Sequence, residues 1–294
     1  MNYYNMVMVV RSIQELMADY IREAKLESLI IGVSGGIDSA VVCAIARPVC
    51  DGLGIKLIGK SIPISTNKSD EIERAKKVGE AFCHEFEEFE LDGQYGHIRT
   101  KLMGTVQPET IEEKIRAGNI KARLRMILLY DVAQANKGMV LSTDNYTEYL
   151  LGFWTLHGDA GDYGPIQSLW KTEVYELANF MANECKGTIQ CEALAICKNA
   201  IPTDGLGITN SDLDQLGVDS YDEVDRILKE YFDWVDFKKY NGLPYVKIEN
   251  KDFMNRASKR IEELETNPII QRHLRTHFKR NIPVNIKRKD IFGL

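Results

Sequence analysis

The sequence contains no long apolar run. No stretch approaches the roughly 18 residues that a membrane-spanning helix requires, and the N-terminus shows neither a basic leader nor a small-residue cleavage site. The net charge of −6 gives no general attraction to nucleic acids or to acidic membrane surfaces. We therefore expect a cytoplasmic protein whose partners include neither membranes nor nucleic acids.

Closely spaced cysteine pairs are also missing. The six cysteines include no C-x-x-C pair, and Cys185, Cys191 and Cys197 recur every six residues with no histidine nearby. Zinc sites normally use closely spaced pairs of ligands. The pattern favours reduced, partly buried thiols, with a zinc site as the alternative.

The size and composition are those of a globular chain with a substantial core. The sequence has 294 residues, of which 44% are hydrophobic and 27% charged. One α/β domain with a helical C-terminal extension fits this length. We expect an N-terminal helix within residues 1–27, a nucleotide-binding core at 28–200, and a mobile loop with the C-terminal extension at 201–294.

Residues 29–46, LIIGVSGGIDSAVVCAIA, predict a phosphate-binding loop. An uncharged run of strand length ends at Ser34-Gly35-Gly36, where glycines permit a tight turn, and an apolar helix follows from Ile37. Such a turn points backbone N–H groups and the positive end of a helix dipole at one place, where phosphates bind. The Lys-Ser/Thr pair of the Walker motif and the G-x-G-x-x-G spacing are both absent.

Asp38 lies in the first turn of the predicted helix, where its carboxylate would repel phosphate oxygens. A magnesium ion that bridges the carboxylate to a pyrophosphate would explain this position. The alternative is a helix cap, in which Asp38 and Ser39 only satisfy free N–H groups. A cap does not require the preceding Ser-Gly-Gly, so the motif favours phosphate and metal binding.

Strands and helices alternate through the first half of the chain. Further strands are predicted at 55–64, 86–91 and 138–142, and helices at 12–25, 68–83, 108–116, 120–136 and 172–185. This alternation predicts an α/β fold with a doubly wound parallel sheet and flanking helices. Ligands bind such sheets at the carboxyl ends of the strands.

Two regions outside the loop carry candidate site residues. The polar, glycine-rich passage 143–165 follows a buried strand, holds four acidic residues and precedes Lys171 at the start of a helix. Arg123 stands among apolar residues of the helix at 120–136. Its guanidinium either lies along the surface or clamps a carboxylate or phosphate, and the spacing alone does not decide.

SGGIDS resembles the loop of the ATP pyrophosphatase superfamily, the PP-loop enzymes. Further segments resemble the ammonia-dependent NAD synthetase family, in the family's order, from Gly32 almost to the C-terminus. These segments are GNIKARLRM, LSTDNYTE, GFWTLHGDAGDYGPIQSLWKTEVY, IPTDGLG, SYDEVDRIL and HFKRNIPVNIKRKDIF. The resemblance implies an adenine nucleotide alpha hydrolase-like fold, usually in a homodimer.

The resemblance also implies a reaction. The family amidates deamido-NAD (nicotinic acid adenine dinucleotide): ATP adenylates the nicotinate carboxylate, pyrophosphate leaves, and ammonia displaces AMP to give NAD. Because little sequence precedes the first strand, we expect no N-terminal glutaminase domain, and free ammonia or ammonia from a partner enzyme as the nitrogen donor.

The family's ATP and metal contacts carry over by resemblance. The ATP phosphates would be bound by Gly32, Val33, Ser34, Gly35, Gly36, Ile37, Asp38 and Ser39. Thr143, Lys171 and Thr203 would also contact ATP, with Thr203 on a mobile loop at 201–217. Asp38 and Glu148 would hold Mg2+, and Lys171 would take part in catalysis.

The dinucleotide and ammonia contacts carry over in the same way. Deamido-NAD would be bound by Arg123, Asp162, Phe278 and Lys279, and Asp159 would bind ammonium and help to remove its proton. Leu156 departs from the lysine of many relatives, and His277 is out of register by one residue. Residues 231–245 look longer than in compact relatives, and we assign them no function.

Two alternatives stay open. One is another PP-loop adenylating ligase or amidotransferase, with the basic segment 266–289 as a contact for an RNA substrate. A solvated or phosphate-facing tail fits the acidic chain better. The other is a nucleotide-binding module without catalysis, which would not need Asp38, Glu148 and Lys171 together.

Overall fold

The computed structural model describes residues 3–64, 67–200, 211–241, 251–281 and 286. The chain divides into two compact units, Met1–Tyr146 with Trp154–Gln215, and Thr147–Phe153 with Leu216–Leu294. Among the described residues, none of the helices combines the length and the apolar character needed to cross a membrane.

The first unit contains a four-stranded, all-parallel sheet. Its strands are β1 Ser28–Gly32, β2 Lys56–Ser61, β3 Glu85–Glu88 and β4 Gly138–Val140, in the order β3-β2-β1-β4. Ser28 of β1 pairs with Lys56 on one side and Gly138 on the other. The strand order therefore reverses between β1 and β4, where open α/β sheets leave a crevice for ligands.

Helices surround the sheet and form the second unit. The first unit contains α1 Tyr3–Ala24, α2 Ile37–Leu53, α3 Ser69–Phe82, α4 Asp92–Met103, α5 Ile111–Ala135, α7 Lys171–Glu184 and α8 Ile189–Lys198. A short α6, Tyr146–Leu151, leads into the second unit, and α9, Asp212–Leu216, ends at its border. The second unit continues with α10 Tyr221–Asn241, α11 Lys251–Glu265, α12 Pro268–Arg275 and a 3-10 turn, His277–Arg280.

The sheet is buried on both faces. Leu29 and Ile31 of β1 enter a core that includes residues of α1, α2, α7 and α8. Ile30, between them, enters a second core that includes residues of α4 and α5. Successive strand residues point to opposite faces, and burial of both faces explains why Leu29, Ile30 and Ile31 are all apolar. The predicted doubly wound parallel sheet is confirmed.

Two helix predictions were wrong. The helices predicted at 108–116 and 120–136 are one helix, α5, which continues through the Gly118-Asn119 pair that indicated a break. Gly118 is buried within α5, and a glycine inside a helix costs only about 1 kcal/mol. Helix α4 was not predicted, because its two glycines and few apolar residues give no clear helical spacing.

His273 is a buried titratable group of the second unit. Its Nδ1 lies 2.9 Å from the Leu150 carbonyl oxygen, and the Phe232 ring packs edge-on at 5.2 Å between centroids. Burial lowers the pKa of His273 and the nearby Arg280 and His277 lower it further, against the opposing effect of the hydrogen bond to the Leu150 carbonyl. The neutral imidazole is therefore the form that the folded unit favours.

Acid should weaken the second unit through His273. In the unfolded chain this histidine takes up a proton near its ordinary pKa of about 6.5, whereas the folded unit resists protonation. The contribution of His273 to the free energy of unfolding should thus be complete above that pH and should be lost as the pH drops through the lower folded pKa. Urea unfolding of the wild type and His273→Gln, from about pH 7.5 to about pH 5, measures this. The free energy of unfolding should fall less steeply with decreasing pH in the variant. Equal slopes in the two proteins would contradict the lowered pKa of His273.

Candidate active site

The predicted phosphate loop joins β1 to α2. Gly32 ends β1, and Gly36 is the N-cap residue of α2. Gly35 has φ +77°, and a Cβ added there would lie 2.4 Å from the Glu71 carbonyl oxygen and 2.8 Å from the Ala75 nitrogen. Both the left-handed backbone and the close approach of α3 therefore require glycine at this position.

Side chains fix the turn from two sides. The Ser34 hydroxyl accepts from the Gly36 nitrogen at 3.3 Å and lies 3.2 Å from the Ser39 hydroxyl. From α3, Arg74 Nε donates to the Gly35 carbonyl at 3.1 Å. The first N–H groups of a helix have no intrahelical partners, and the helix dipole is positive at this end. The loop therefore has the chemistry of an anion site.

Asp38 is paired with a buried lysine. Its carboxylate accepts from Lys171 Nζ at 2.5 Å and from Asn145 Nδ2 at 2.9 Å. The Lys171 side chain is 3% exposed and the Asp38 side chain 16%. The cap alternative was wrong, because the Asp38 carboxylate accepts from the Lys171 and Asn145 side chains and the Ser39 hydroxyl donates to the Gly36 carbonyl.

The chain after β4 places Asn145 and Lys171. The Tyr146 nitrogen donates to the Leu169 carbonyl at 2.8 Å, and the Tyr146 ring packs edge-on against Trp170 at 4.8 Å. Lys171 is the first residue of α7, and the Trp170 nitrogen donates to the Glu173 carboxylate at 2.9 Å. Segments that follow β1 and β4 therefore meet the start of α7 at the reversal of strand order.

Arg123 lies on the exposed side of α5 and reaches a neighbouring turn. Its Nη2 donates to the Leu156 carbonyl at 3.1 Å and its Nη1 to the Asn119 carbonyl at 3.3 Å. In the same turn, Asp159 accepts from the Thr155 nitrogen at 2.7 Å. The structure thus brings the predicted dinucleotide arginine to the turn that carries the predicted ammonium carboxylate.

Asp162 also contacts α5. One of its oxygens accepts from the Tyr130 hydroxyl at 2.8 Å, and the other accepts from the Val140 nitrogen at 3.2 Å. Burial, the hydrogen bond and the negative charge of Asp162 raise the pKa of Tyr130 to about 12. Tyr130 therefore stays a proton donor at neutral pH, and it lies two helical turns beyond Arg123 on α5.

The remaining predicted residues are less closely defined. Thr143 is half-buried just after β4, whereas Thr203 lies outside the described residues. In the second unit, Glu148 is half-buried in α6, Phe278 is 48% exposed, and Lys279 Nζ donates to the Gly152 carbonyl at 2.7 Å. Within the described ranges, no group of three or more His, Cys, Asp or Glu side chains could hold a metal ion, and all six cysteines are free.

Residues 9–283 match the sequence model of the family described as NAD synthase. The chain belongs to the NAD synthase family. It is 30% identical to the NH(3)-dependent NAD(+) synthetase of Thermoplasma acidophilum, over 93% of this chain and 97% of that one. It is 31% identical to the NH(3)-dependent NAD(+) synthetase of Pyrococcus furiosus, over 94% of each chain.

A solved structure shows the same fold. The NMN synthetase from Francisella tularensis superposes with a TM-score of 0.70, at 24% identity over 96% of this chain and 98% of that one. The resemblance to NAD synthetases that the motifs indicated is thereby confirmed at the level of family and fold.

Three residues at the candidate site were not predicted. Asn145 lies within the LSTDNYTE segment, but its acidic neighbours gave the stronger signal. Arg74 and Tyr130 stand on helices whose spacing predicted only packing and solvent faces. Each of the three side chains bonds a residue that is distant in sequence, and such a contact leaves no local pattern. Only Asn145 could have been identified, because it lies in a segment that resembles the family.

Gly35→Ala should cost more stability than a matched glycine substitution. Gly54, at the C-terminal end of α2, has φ +67° but nothing within 4 Å of an added Cβ. Gly54→Ala should therefore cost only the left-handed backbone, about 1–2 kcal/mol. Gly35→Ala adds overlap with the α3 backbone and should cost about 1–3 kcal/mol more.

Thermal unfolding and titration with a fluorescent ATP analogue measure both effects. We expect Gly35→Ala to lose nucleotide affinity and Gly54→Ala to retain it. Equal losses of stability and affinity in the two variants would show that the phosphate loop does not depend on close packing against α3.

Proposed function

We propose that this protein catalyses the ATP-dependent amidation of deamido-NAD to NAD with ammonia, releasing AMP and pyrophosphate. The observation that carries the proposal is the buried pair of Lys171 and Asp38 beside the phosphate loop. Membership of the NAD synthase family and full-length relatives named NH(3)-dependent NAD(+) synthetases support it. A cytoplasmic location stays a prediction.

Adenylation is the first step. A nicotinate carboxylate oxygen attacks the α-phosphorus of ATP, the α–β phosphoanhydride bond breaks, and pyrophosphate leaves. The phosphate loop at residues 32–39 and the Lys171 ammonium bind the phosphates, with Thr143 and Thr203 as further ATP contacts. Fixed donors of this kind stabilise charge as it develops on the leaving group.

Amide formation is the second step. Ammonia attacks the adenylated carbonyl carbon, and AMP leaves. AMP is a far better leaving group than a carboxylate oxygen. The attacking nitrogen must be neutral, so a proton must leave ammonium first. Asp159 is our candidate for this proton transfer, and its hydrogen bond from the Thr155 nitrogen orients the carboxylate.

The chemistry of the Asp38 carboxylate fits a magnesium ion. Asp38 and Glu148 would hold it, and each Asp38 oxygen retains accepting capacity beyond its one hydrogen bond. Magnesium usually binds one or two carboxylates together with substrate phosphates, so a cluster of three protein ligands is not required. When bound, it supplies charge neutralisation for the phosphates.

Deamido-NAD contacts are assigned to Arg123, Asp162, Phe278 and Lys279. Support comes from the positions of Arg123 and Tyr130, which lie two turns apart on α5, since Tyr130 donates to Asp162. A guanidinium suits carboxylate or phosphate groups, and a carboxylate suits the hydroxyls of a ribose.

We further propose a homodimer that uses the exposed face of α5. Four large apolar side chains, which we call the α5 stripe, form two pairs at helical spacing, Ile111 with Ile115 and Ile127 with Tyr130. They are Ile111 (50% exposed), Ile115 (41%), Ile127 (67%) and Tyr130 (41%). Exposed apolar side chains that are grouped in this way mark candidate interaction sites, and the family resemblance favours a second copy as the partner.

Pyrophosphate release tests the proposed reaction. With ATP and Mg2+, release should require deamido-NAD, and NAD should form only when ammonium is added. Asp38→Asn removes the charge that pairs with Lys171 and should lower the rate roughly 10²–10³-fold. Asp51→Asn, an exposed aspartate at the far end of α2, is the matched control and should keep wild-type turnover.

Three results would contradict the proposal. Release with nicotinic acid mononucleotide but not with deamido-NAD would indicate a mononucleotide substrate. Nucleotide binding without pyrophosphate release would indicate a non-catalytic module. Equal rates in Asp38→Asn and Asp51→Asn would remove Asp38 from the site.

A charge on the α5 stripe should break the proposed dimer. Ile127→Glu places a carboxylate on the proposed interface, where burial without a partner is strongly unfavourable. Ile189→Glu changes a comparably exposed isoleucine of α8, away from the stripe. Light scattering during size exclusion should give about twice the 33.4 kDa chain mass for wild type and Ile189→Glu, and one chain mass for Ile127→Glu. A monomeric wild type would refute the dimer.

A further inference from the structure

Asp225 is a buried carboxylate to which the proposed reaction gives no role. It lies on α10, within the SYDEVDRIL segment, and is 1% exposed. Its Oδ1 accepts from the Thr147 hydroxyl at 2.6 Å, and Thr147 is fully buried. Burying a carboxylate is unfavourable unless hydrogen bonds compensate for its lost hydration. The bond to Thr147 is therefore a strong and directional link between α10 and α6.

The other end of α6 is held as well. The Leu150 carbonyl accepts from Arg280 Nη1 at 2.7 Å, the Leu151 carbonyl from Arg272 Nε at 3.1 Å, and the Gly152 carbonyl from Lys279 Nζ at 2.7 Å. The last carbonyls of a helix lack intrahelical partners, and cations there complement the helix dipole.

These contacts stabilise a helix that is too short to be stable on its own. Helix α6 has six residues, whereas isolated helices below about 12 residues are marginal in water. The basic contacts hold its C-terminal end, and the Thr147–Asp225 bond holds its first turn. The Thr147–Asp225 bond sets the rotation of α6 about its axis, because it holds a side chain that projects from one side of the helix, whereas the C-terminal carbonyls point along the axis.

Glu148 follows Thr147 directly. Neighbouring helical residues are separated by about 100° around the axis, so the rotation that the Thr147–Asp225 bond sets also sets the direction of the Glu148 side chain. We propose that Thr147 and Asp225 are positioning residues that orient Glu148 as a magnesium ligand. This inference rests on the proposed function, in which Glu148 is one of the two magnesium carboxylates.

Thr147→Val tests the inference, because it keeps the shape of the side chain and removes the hydroxyl. Thr147→Ser keeps the hydroxyl and is the rescue variant. Two readouts are needed: the affinity of the full chain for Mn2+ in the presence of ATP, by electron paramagnetic resonance, and the Mg2+ concentration that gives half-maximal pyrophosphate release. Partners behind a metal ligand typically change metal affinity 10–100-fold. We expect Thr147→Val to weaken both readouts by roughly tenfold or more, and Thr147→Ser to stay near wild type.

Two further variants separate positioning from folding. Val224→Ala cuts a fully buried apolar side chain of α10 next to Asp225 and should lower thermal stability without changing metal affinity. Glu148→Gln removes the proposed ligand itself and should weaken metal binding at least as much as Thr147→Val.

The outcomes are distinct. If Glu148→Gln weakens metal binding while Thr147→Val changes only stability, as Val224→Ala does, the inference is wrong and the proposed function stands. If Glu148→Gln leaves metal affinity and activity unchanged, the metal role of Glu148 fails, and the inference fails with it.

Discussion

The candidate site depends on the buried ion pair between Lys171 and Asp38. Taking two charges out of water costs several kcal/mol per ion, and removing one partner of such a pair typically costs about 3–5 kcal/mol. Both groups are more than four-fifths buried, and Asn145 adds a second bond to the Asp38 carboxylate. The pair joins the first turn of α2 to the first turn of α7, so it can form only where the strand order β3-β2-β1-β4 sets β1 beside β4.

The sequence predicted that Asp38 needs a cation but could not identify every cation present. Electrostatic repulsion between a carboxylate and phosphates is a local argument, and it indicated magnesium. The structure adds an ammonium group that lies 133 residues away in the chain. No local pattern connects two such positions, because the sheet order alone brings them together. From its position at the start of a helix alone, Lys171 could equally be a solvated side chain.

Local signals also explain which parts of the fold were predictable. The strand, glycine turn and helix at 28–53 were predicted because each step has its own residue signature. The break at Gly118 was wrong because burial outweighed the propensity of one glycine, and a Thr110–Glu113 capping box starts α5 further upstream. Tyr130 and Arg74 were missed for another reason. Their partners, Asp162 and the Gly35 carbonyl, are set by tertiary packing.

Packing and hydrogen bonds hold the backbone N–H and carbonyl groups of the phosphate loop in fixed orientations. Gly35 is packed against the backbone of α3, Arg74 holds its carbonyl, and the hydroxyls of Ser34 and Ser39 bond within the turn. Donors that are already oriented spend little free energy on reorganisation when charge develops near them, which is the main electrostatic advantage of a folded site over water. The same rigidity accounts for the glycine. A turn that had to adapt to its ligand could accept other residues, whereas a turn clamped against a neighbouring helix backbone leaves no space for a Cβ.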